Sequence, residues 1–226
     1  MSRHVLSVHP HPDDEIDKAG SLAQHVDAGD VVTLIAATSG QMGRRMGVPF
    51  FANRETLPGL REAELRASCD AIGIEDLRLW RMQDKTVQFN DPRALAGRIE
   101  EVIHELDITV IYTFYPGHAV HPDHNAIGEA AVLAAKRQGP ARRPCVYGTA
   151  FTRERYDVLG QPDVRRDVSD VIDRKMNALR AHRSQSELDM KELDRKLQAN
   201  PDDTKELLAR YLTEELWVCV APGVPG

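Results

Sequence analysis

Between Val5 and Ala37 the chain reads as a short apolar run, a polar break, a helix and a second apolar run. That order constrains the fold more than any other feature of the sequence. Val5 to Val8 is too short for a helix and has the composition of a buried strand, and His9 to Glu15 ends it with polar side chains. A helix is predicted from Glu15 to about Ala28, with Asp13 or Asp14 as N-cap and Gly29 closing it. Val31 to Ala37 is the second strand, opening into the glycine-rich stretch Ser39 to Gly47. Strands joined through a helix cannot form a tight hairpin, so the unit predicts a parallel pair.

The alternation continues along the chain. Leu60 to Ile72 reads as a helix and Leu77 to Trp80 as a short strand. Asp91-Pro92 starts a further helix, with proline at the first helical position. Its Leu95, Ile99, Val102, Ile103 and Leu106 share one face. Val110 to Phe114 is a strand, Ala126 to Lys136 a helix and Cys145 to Phe151 another strand. Val171 to Leu197 is a long helical pattern of alternating charge, broken at Asn200-Pro201. The expectation is an α/β, Rossmann-like three-layer fold with a mostly parallel sheet. Residues 1–226 form one domain in this reading, and about 165–226 serve as a helical extension and tail rather than a second domain.

Bulk properties narrow the partners. At 226 residues the chain is long enough for one continuous core, and 42% hydrophobic with 28% charged residues is ordinary for a globular protein. A net charge of −6 provides no positive field for nucleic acid, and Lys136, Arg137, Arg142 and Arg143 form only a short basic cluster. Cys69, Cys145 and Cys219 make no CxxC pair and suggest reduced thiols. No apolar run resembles a signal peptide or a membrane span, so a cytoplasmic protein is expected.

Two polar clusters follow predicted strands: His11-Pro12-Asp13-Asp14-Glu15, and His121-Pro122-Asp123-His124. Ligand crevices of open α/β sheets lie beyond the carboxyl ends of the strands, so the two runs can meet. His11 offers an imidazole and Asp14 a carboxylate three positions on; His124 can add a third ligand. Two histidines and one carboxylate leave a coordination position open, as catalytic rather than structural zinc sites do. Asp13 is left over to take a proton from activated water. A plainer reading makes Asp13 and Asp14 helix caps and Glu15 a first-turn acid. The same ligand set also suits iron(II) or another divalent cation.

At these residues the sequence resembles the PIG-L/LmbE-type N-acetylglucosaminyl deacetylases. Ser39-Gly40-Gln41-Met42-Gly43, Arg61 to Leu65, Arg81 to Lys85 and His182-Arg183-Ser184-Gln185 extend the likeness over most of residues 4–190. Within the family it looks most like the deacetylases of bacillithiol biosynthesis, through Pro49 to Pro58, Asp84 to Val87 and Thr113 to His118. The resemblance implies zinc held by His11, Asp14 and His124, with Asp13 as general base. It also implies His121 as acid or oxyanion-stabilising group, oriented by Asp123. A tyrosine that some relatives carry two positions before the second motif is Ala119 here. His9 and His118 are read as lying outside the ligand set.

The implied reaction releases acetate from N-acetylglucosaminyl-malate, a small-molecule amino-sugar conjugate. Arginine forks suit the malate carboxylates, and Arg44, Arg45, Arg54 and Arg61 lie in or after the glycine-rich stretch. Arg54 and Arg61 are the expected substrate contacts, with Asp84 on the sugar hydroxyls. Relatives of this type point to a homo-oligomer. The alternatives are an amidase acting on a thiol conjugate, a deacetylase of another N-acetylglucosaminyl compound, or a non-catalytic metal- or sugar-binding module. A nucleotide-binding module is disfavoured, because neither GxGxxG after the first strand nor GxxxxGK[ST] occurs.

Overall fold

The computed structural model describes residues 2–199 and 204–222. Seven strands form one mixed sheet in the order β3-β2-β1-β4-β5-β7-β6. They are β1 (His4–His9), β2 (Val31–Thr38), β3 (Asp76–Met82), β4 (Ile108–Phe114), β5 (Cys145–Thr149), β6 (Val164–Asp167) and β7 (Thr213–Val220). β1 to β5 are parallel. β7 runs antiparallel to both β5 and β6.

Alternation along the central strands separates two apolar layers. Val5, Leu34 and Tyr112 face helices α1 (Ala19–Asp27), α2 (Leu57–Ile72) and α6 (Ile172–Ala181). Leu6, Val8, Ile35 and Ile111 face α3 (Pro92–Leu106) and α4 (Pro122–Lys136). The predicted face of α3 is the one it buries, from Leu95 to Ile103. Asp91 caps that helix by accepting the Arg93 N–H at 2.9 Å, and Asp107 closes it in the left-handed conformation. Burying each such leucine or isoleucine contributes about 1.5–3 kcal/mol.

Three segments depart from expectation. The helix placed at Glu15 begins instead as a tighter 3-10 turn, Asp14–Lys18, before α1. Asp13 sits at its N-cap with φ 104°, and its side chain caps nothing. The pattern over Val171 to Leu197 is two helices, α6 and α7 (Arg183–Ala199), separated at His182. That residue leaves helical geometry, and its buried ring is paired with Glu15 at 2.6 Å. The C-terminal region, expected to be helical, also supplies β6 and β7. Glu214 of β7 accepts from the Gly20 and Ser21 amides and pairs with Lys175 at 2.6 Å, holding the strand against the start of α1. The break expected at Asn200-Pro201 and the tail beyond residue 222 lie outside the described residues.

Sheet order positions the chemistry. From β1 the chain moves outward to β2 and β3, then returns to place β4 on the other side of β1. The carboxyl ends of β1 and β4 are therefore the switch point at which crevices form in such sheets. α4 can approach that point because residue 128 is glycine: a Cβ there would lie 2.4 Å from the Phe114 carbonyl oxygen. No helix among the described residues is long and apolar enough to cross a membrane.

Candidate metal centre

The loop after β1 carries His11 to Glu15, and the first turn of α4 carries His121 to His124. Their side chains converge. His11 Nδ1 and His124 Nε2 are 3.2 Å apart across 113 positions of sequence. Asp14 closes the triangle, with Oδ2 at 3.3 Å from His11 Nδ1 and Oδ1 at 3.2 Å from His124 Nε2. An ion bound tetrahedrally at about 2.0–2.1 Å has ligand–ligand edges of about 3.3–3.4 Å. The three side chains come close enough to share such a cation.

The environment of His11 shows which nitrogen is free for the ion. Its Nε2 lies 3.1 Å from Asp84 Oδ1 and 3.5 Å from Asp123 Oδ2, so a proton on that side would face two carboxylates and Nδ1 is the nitrogen turned toward Asp14 and His124. Such backing of an imidazole by carboxylates is what orients metal ligands. Burial opposes charge on His11, yet Asp14, Asp123 and Asp84 raise its pKa well above the usual value. Asp14 is likewise held well below the carboxylate range by His124 and His11, against its own burial. Both shifts describe a pocket demanding positive charge.

Asp84 and Asp123 are fixed by backbone amides. Met42 N–H donates to Asp84 at 2.8 Å; Lys85 N–H and Gln88 N–H donate to Asp123 at 2.8 and 3.1 Å. Donor atoms of His11, Asp84 and Asp123 lie within 4.8 Å of one another, as do those of His11, His121 and His124. The amide contacts show Asp84 and Asp123 acting as struts behind His11. Asp84, expected on the sugar hydroxyls, thus lies beside His11. Asp123 turns its carboxylate to His11, and it meets His121 only through its backbone N–H, which donates to His121 Nδ1 at 3.2 Å.

That contact assigns the His121 tautomer: an Nδ1 that accepts leaves the proton of the neutral ring on Nε2. Burial, then His11 and His124, lower its pKa and favour the neutral form. Its ring is 4.9 Å from that of His11, centroid to centroid. Val120 aims it from a three-residue turn, with φ 63° and a 2.6 Å bond from His121 N–H to the Ala119 carbonyl. Holding a β-branched residue there costs on the order of 1–3 kcal/mol.

Asp13 stands beside the triangle with its side chain about one-third exposed, Oδ1 at 2.9 Å from Arg61 Nη2. Burial raises its pKa to about 6 despite Arg61, and Asp14 pushes the same way. Arg61 is buried. It also donates to the carbonyls of Pro12 and Gly40, and the space it fills is open because Gly40 has no Cβ. Arg54 is exposed and donates to the Gln41 and Gly43 carbonyls. Both arginines expected to reach a substrate carboxylate are thus engaged within the protein.

Sequence reasoning missed the struts behind this loop. Glu15 Oε1 accepts from Ser68 and meets His182 at 2.6 Å, while Oε2 accepts the Asp13 N–H at 3.0 Å. The "HRSQ" element carried that signal, since a histidine with no place in the ligand set needs a partner. His9 pairs with Ser7 at 2.6 Å and His118 with Thr152 at 2.9 Å, so neither joins the triangle. A cavity of about 1170 Å³ has Ile16, Asp17, Phe151 and Trp217 in its wall and none of His11, Asp14 and His124.

An α/β sheet that brings two imidazoles and a carboxylate to its switch point, with a spare acid alongside, defines a metal-dependent hydrolase class. Residues 6–135 match the family model described as "PIG-L: GlcNAc-PI de-N-acetylase". The chain belongs to the PIG-L family and is an amide deacetylase. It is 47% identical over 218 residues to "Probable N-acetyl-alpha-D-glucosaminyl L-malate deacetylase 2" of Bacillus subtilis (strain 168), covering 96% of this chain and 97% of that one. A Bacillus cereus protein of the same name is 45% identical, with 96% and 98% covered. Among solved structures, N,N'-diacetylchitobiose deacetylase from Pyrococcus horikoshii superposes with a TM-score of 0.73 at 20% identity, covering 98% and 85%. A 4-carboxy-2-hydroxymuconate hydratase from Pseudomonas putida KT2440 gives 0.72 at 18% identity, with 98% of each chain covered. A deacetylase and a hydratase on one fold show that the site, not the sheet, decides the reaction.

Proposed function

We propose that this protein hydrolyses the acetamide of N-acetylglucosaminyl-malate, with zinc held by His11, Asp14 and His124. The triangle of 3.2–3.3 Å edges carries the metal assignment. The names of relatives similar over nearly their whole length support the malate conjugate. Zinc suits two imidazoles and one carboxylate with a position left open.

When bound, the metal supplies Lewis acidity at the acetamide carbonyl and acidifies water there. The protein's own residues do the rest. Asp13 accepts a proton from the attacking water, and Arg61 holds its carboxylate in place. His121 Nε2–H donates to the carbonyl oxygen as negative charge develops on it. The C–N bond then breaks, Asp13 returns its proton to the leaving nitrogen, and acetate and the glucosaminyl amine depart. The three cysteines are free, which supports a reducing cytoplasm as the setting.

Comparing purified enzyme on N-acetylglucosaminyl-malate and on N-acetylglucosamine tests the substrate. The expected result is acetate release with kcat/KM at least about tenfold higher for the acidic conjugate, the value of one charge-assisted contact. Equal values remove the malate assignment and leave the deacetylase standing.

A further inference from the structure

His124 lacks what His11 has. Neither far nitrogen makes a hydrogen bond among the described residues, but that of His11 faces the carboxylates of Asp84 at 3.1 Å and Asp123 at 3.5 Å, whereas no ion pair reaches the buried Nδ1 of His124. Ligating imidazoles are nearly always oriented by such a partner. What His124 has instead is Phe114, the last residue of β4. The two rings are parallel to within 2°, with centroids 4.0 Å apart.

On Phe114 sits a second group. Lys18, at the end of the 3-10 turn that begins at Asp14, is fully buried, and its Nζ lies 3.9 Å from the Phe114 centroid with no hydrogen-bond partner. Two groups each within 4.0 Å of one centroid cannot share a face, so Lys18 and His124 sandwich the ring. His9 closes the edge at 5.4 Å, nearly perpendicular. An ammonium over an aromatic face is attracted by the ring quadrupole, and more strongly when desolvated. Gly128, one turn beyond His124, lets α4 approach the Phe114 carbonyl and so sets the spacing of the stack.

We infer that Phe114, clamped on its far face by Lys18, is the positioning residue for His124, in the role that Asp84 and Asp123 fill for His11. This assignment rests on the metal centre proposed above. The two imidazoles are thus aimed by different physics: one by carboxylates, the other by a stacked ring and a buried cation.

Binding of zinc and of cobalt(II) to stripped protein tests it, using chelator competition for affinity and the visible cobalt bands for ligand geometry. Phe114→Leu, measured on protein whose circular dichroism shows it folded, is expected to bind zinc about ten- to a hundredfold more weakly, the usual loss when an orienting partner goes. Its cobalt spectrum should differ from the parent's. A purely structural Phe114 would lower the melting temperature but leave both readouts unmoved; zinc affinity within twofold and an unchanged spectrum overturn the inference. If Phe114→Leu does not fold, Lys18→Met decides, since it keeps length and removes charge. A threefold or greater loss of zinc affinity with shifted cobalt bands supports the clamp, and parental values overturn it. Parent protein that binds neither ion overturns the metal centre itself, and this assignment with it.

Discussion

Arg61 places Nη2 2.9 Å from Asp13 Oδ1 while its other terminal nitrogen donates to the Gly40 carbonyl. One buried guanidinium therefore ties the glycine-rich loop to the proposed base. Arg61→Lys keeps the charge and loses the fork. The expected outcome is a fall in kcat of about a hundredfold, the scale of a small misplacement of a reacting group. Zinc stoichiometry and KM should stay near parental values. A rise in KM at unchanged kcat, measured by steady-state kinetics, would return Arg61 to substrate binding.

Asp84 meets His11 Nε2 at 3.1 Å, so its removal should act on the metal. Asp84→Asn is expected to weaken zinc by about ten- to a hundredfold. Sugar affinity should barely change once zinc is saturating. Chelator competition combined with KM at high zinc separates the two effects.

Among the described residues, three of the four arginines in or after the glycine-rich stretch are engaged within the protein. Arg45 pairs with Asp189, Arg54 binds backbone carbonyls and Arg61 holds Asp13, while Arg44 is exposed and makes none of these contacts. Arg44→Ala should raise KM for N-acetylglucosaminyl-malate about tenfold. Turnover of plain N-acetylglucosamine should stay as it was. An equal effect on both substrates would rule out recognition of the acidic aglycone by this side chain.

Away from the site, Asp30, just before β2, pairs with Arg3, just before β1, and with His25 of α1. Burial pulls its pKa upward, but the Arg3 amide, the His25 ring and the Arg3 side chain hold it down at about 2. A carboxyl lowered on folding stabilises above its unfolded pKa, near 3.9, and loses that contribution as pH falls toward the folded value. Asp30→Asn should be less stable than the parent by about 1–2 kcal/mol at neutral pH, after allowance for solvent screening. The gap should close between about pH 5 and pH 2. Denaturant melts across that range check it, and a gap independent of pH contradicts the assignment.

Legibility from sequence followed periodicity. β1, β2, β4 and α3 are uniform apolar runs or clean helical faces, and each lies where its pattern placed it. β7 went unread although Leu216 to Val220 is strand-like in composition, because the charged helices before it suggested more helix. The 3-10 turn at Asp14 and the break at His182 were invisible for a common reason. Both follow from side chains bound to distant partners, Asp14 to His124 and His182 to Glu15, and local propensity carries no trace of that. The convergence of His11, Asp14 and His124 was legible as three residue types beyond two strands. The approach of Asp84 and Asp123 to His11 was not, since which side of an imidazole a carboxylate faces is decided by packing.

Acetate release from N-acetylglucosaminyl-malate, followed while zinc is titrated into chelator-stripped protein, tests the metal centre most directly. The expected trace starts at no more than a small fraction of full activity and rises to a plateau at one zinc per chain. Full acetate release before any zinc is added would contradict it.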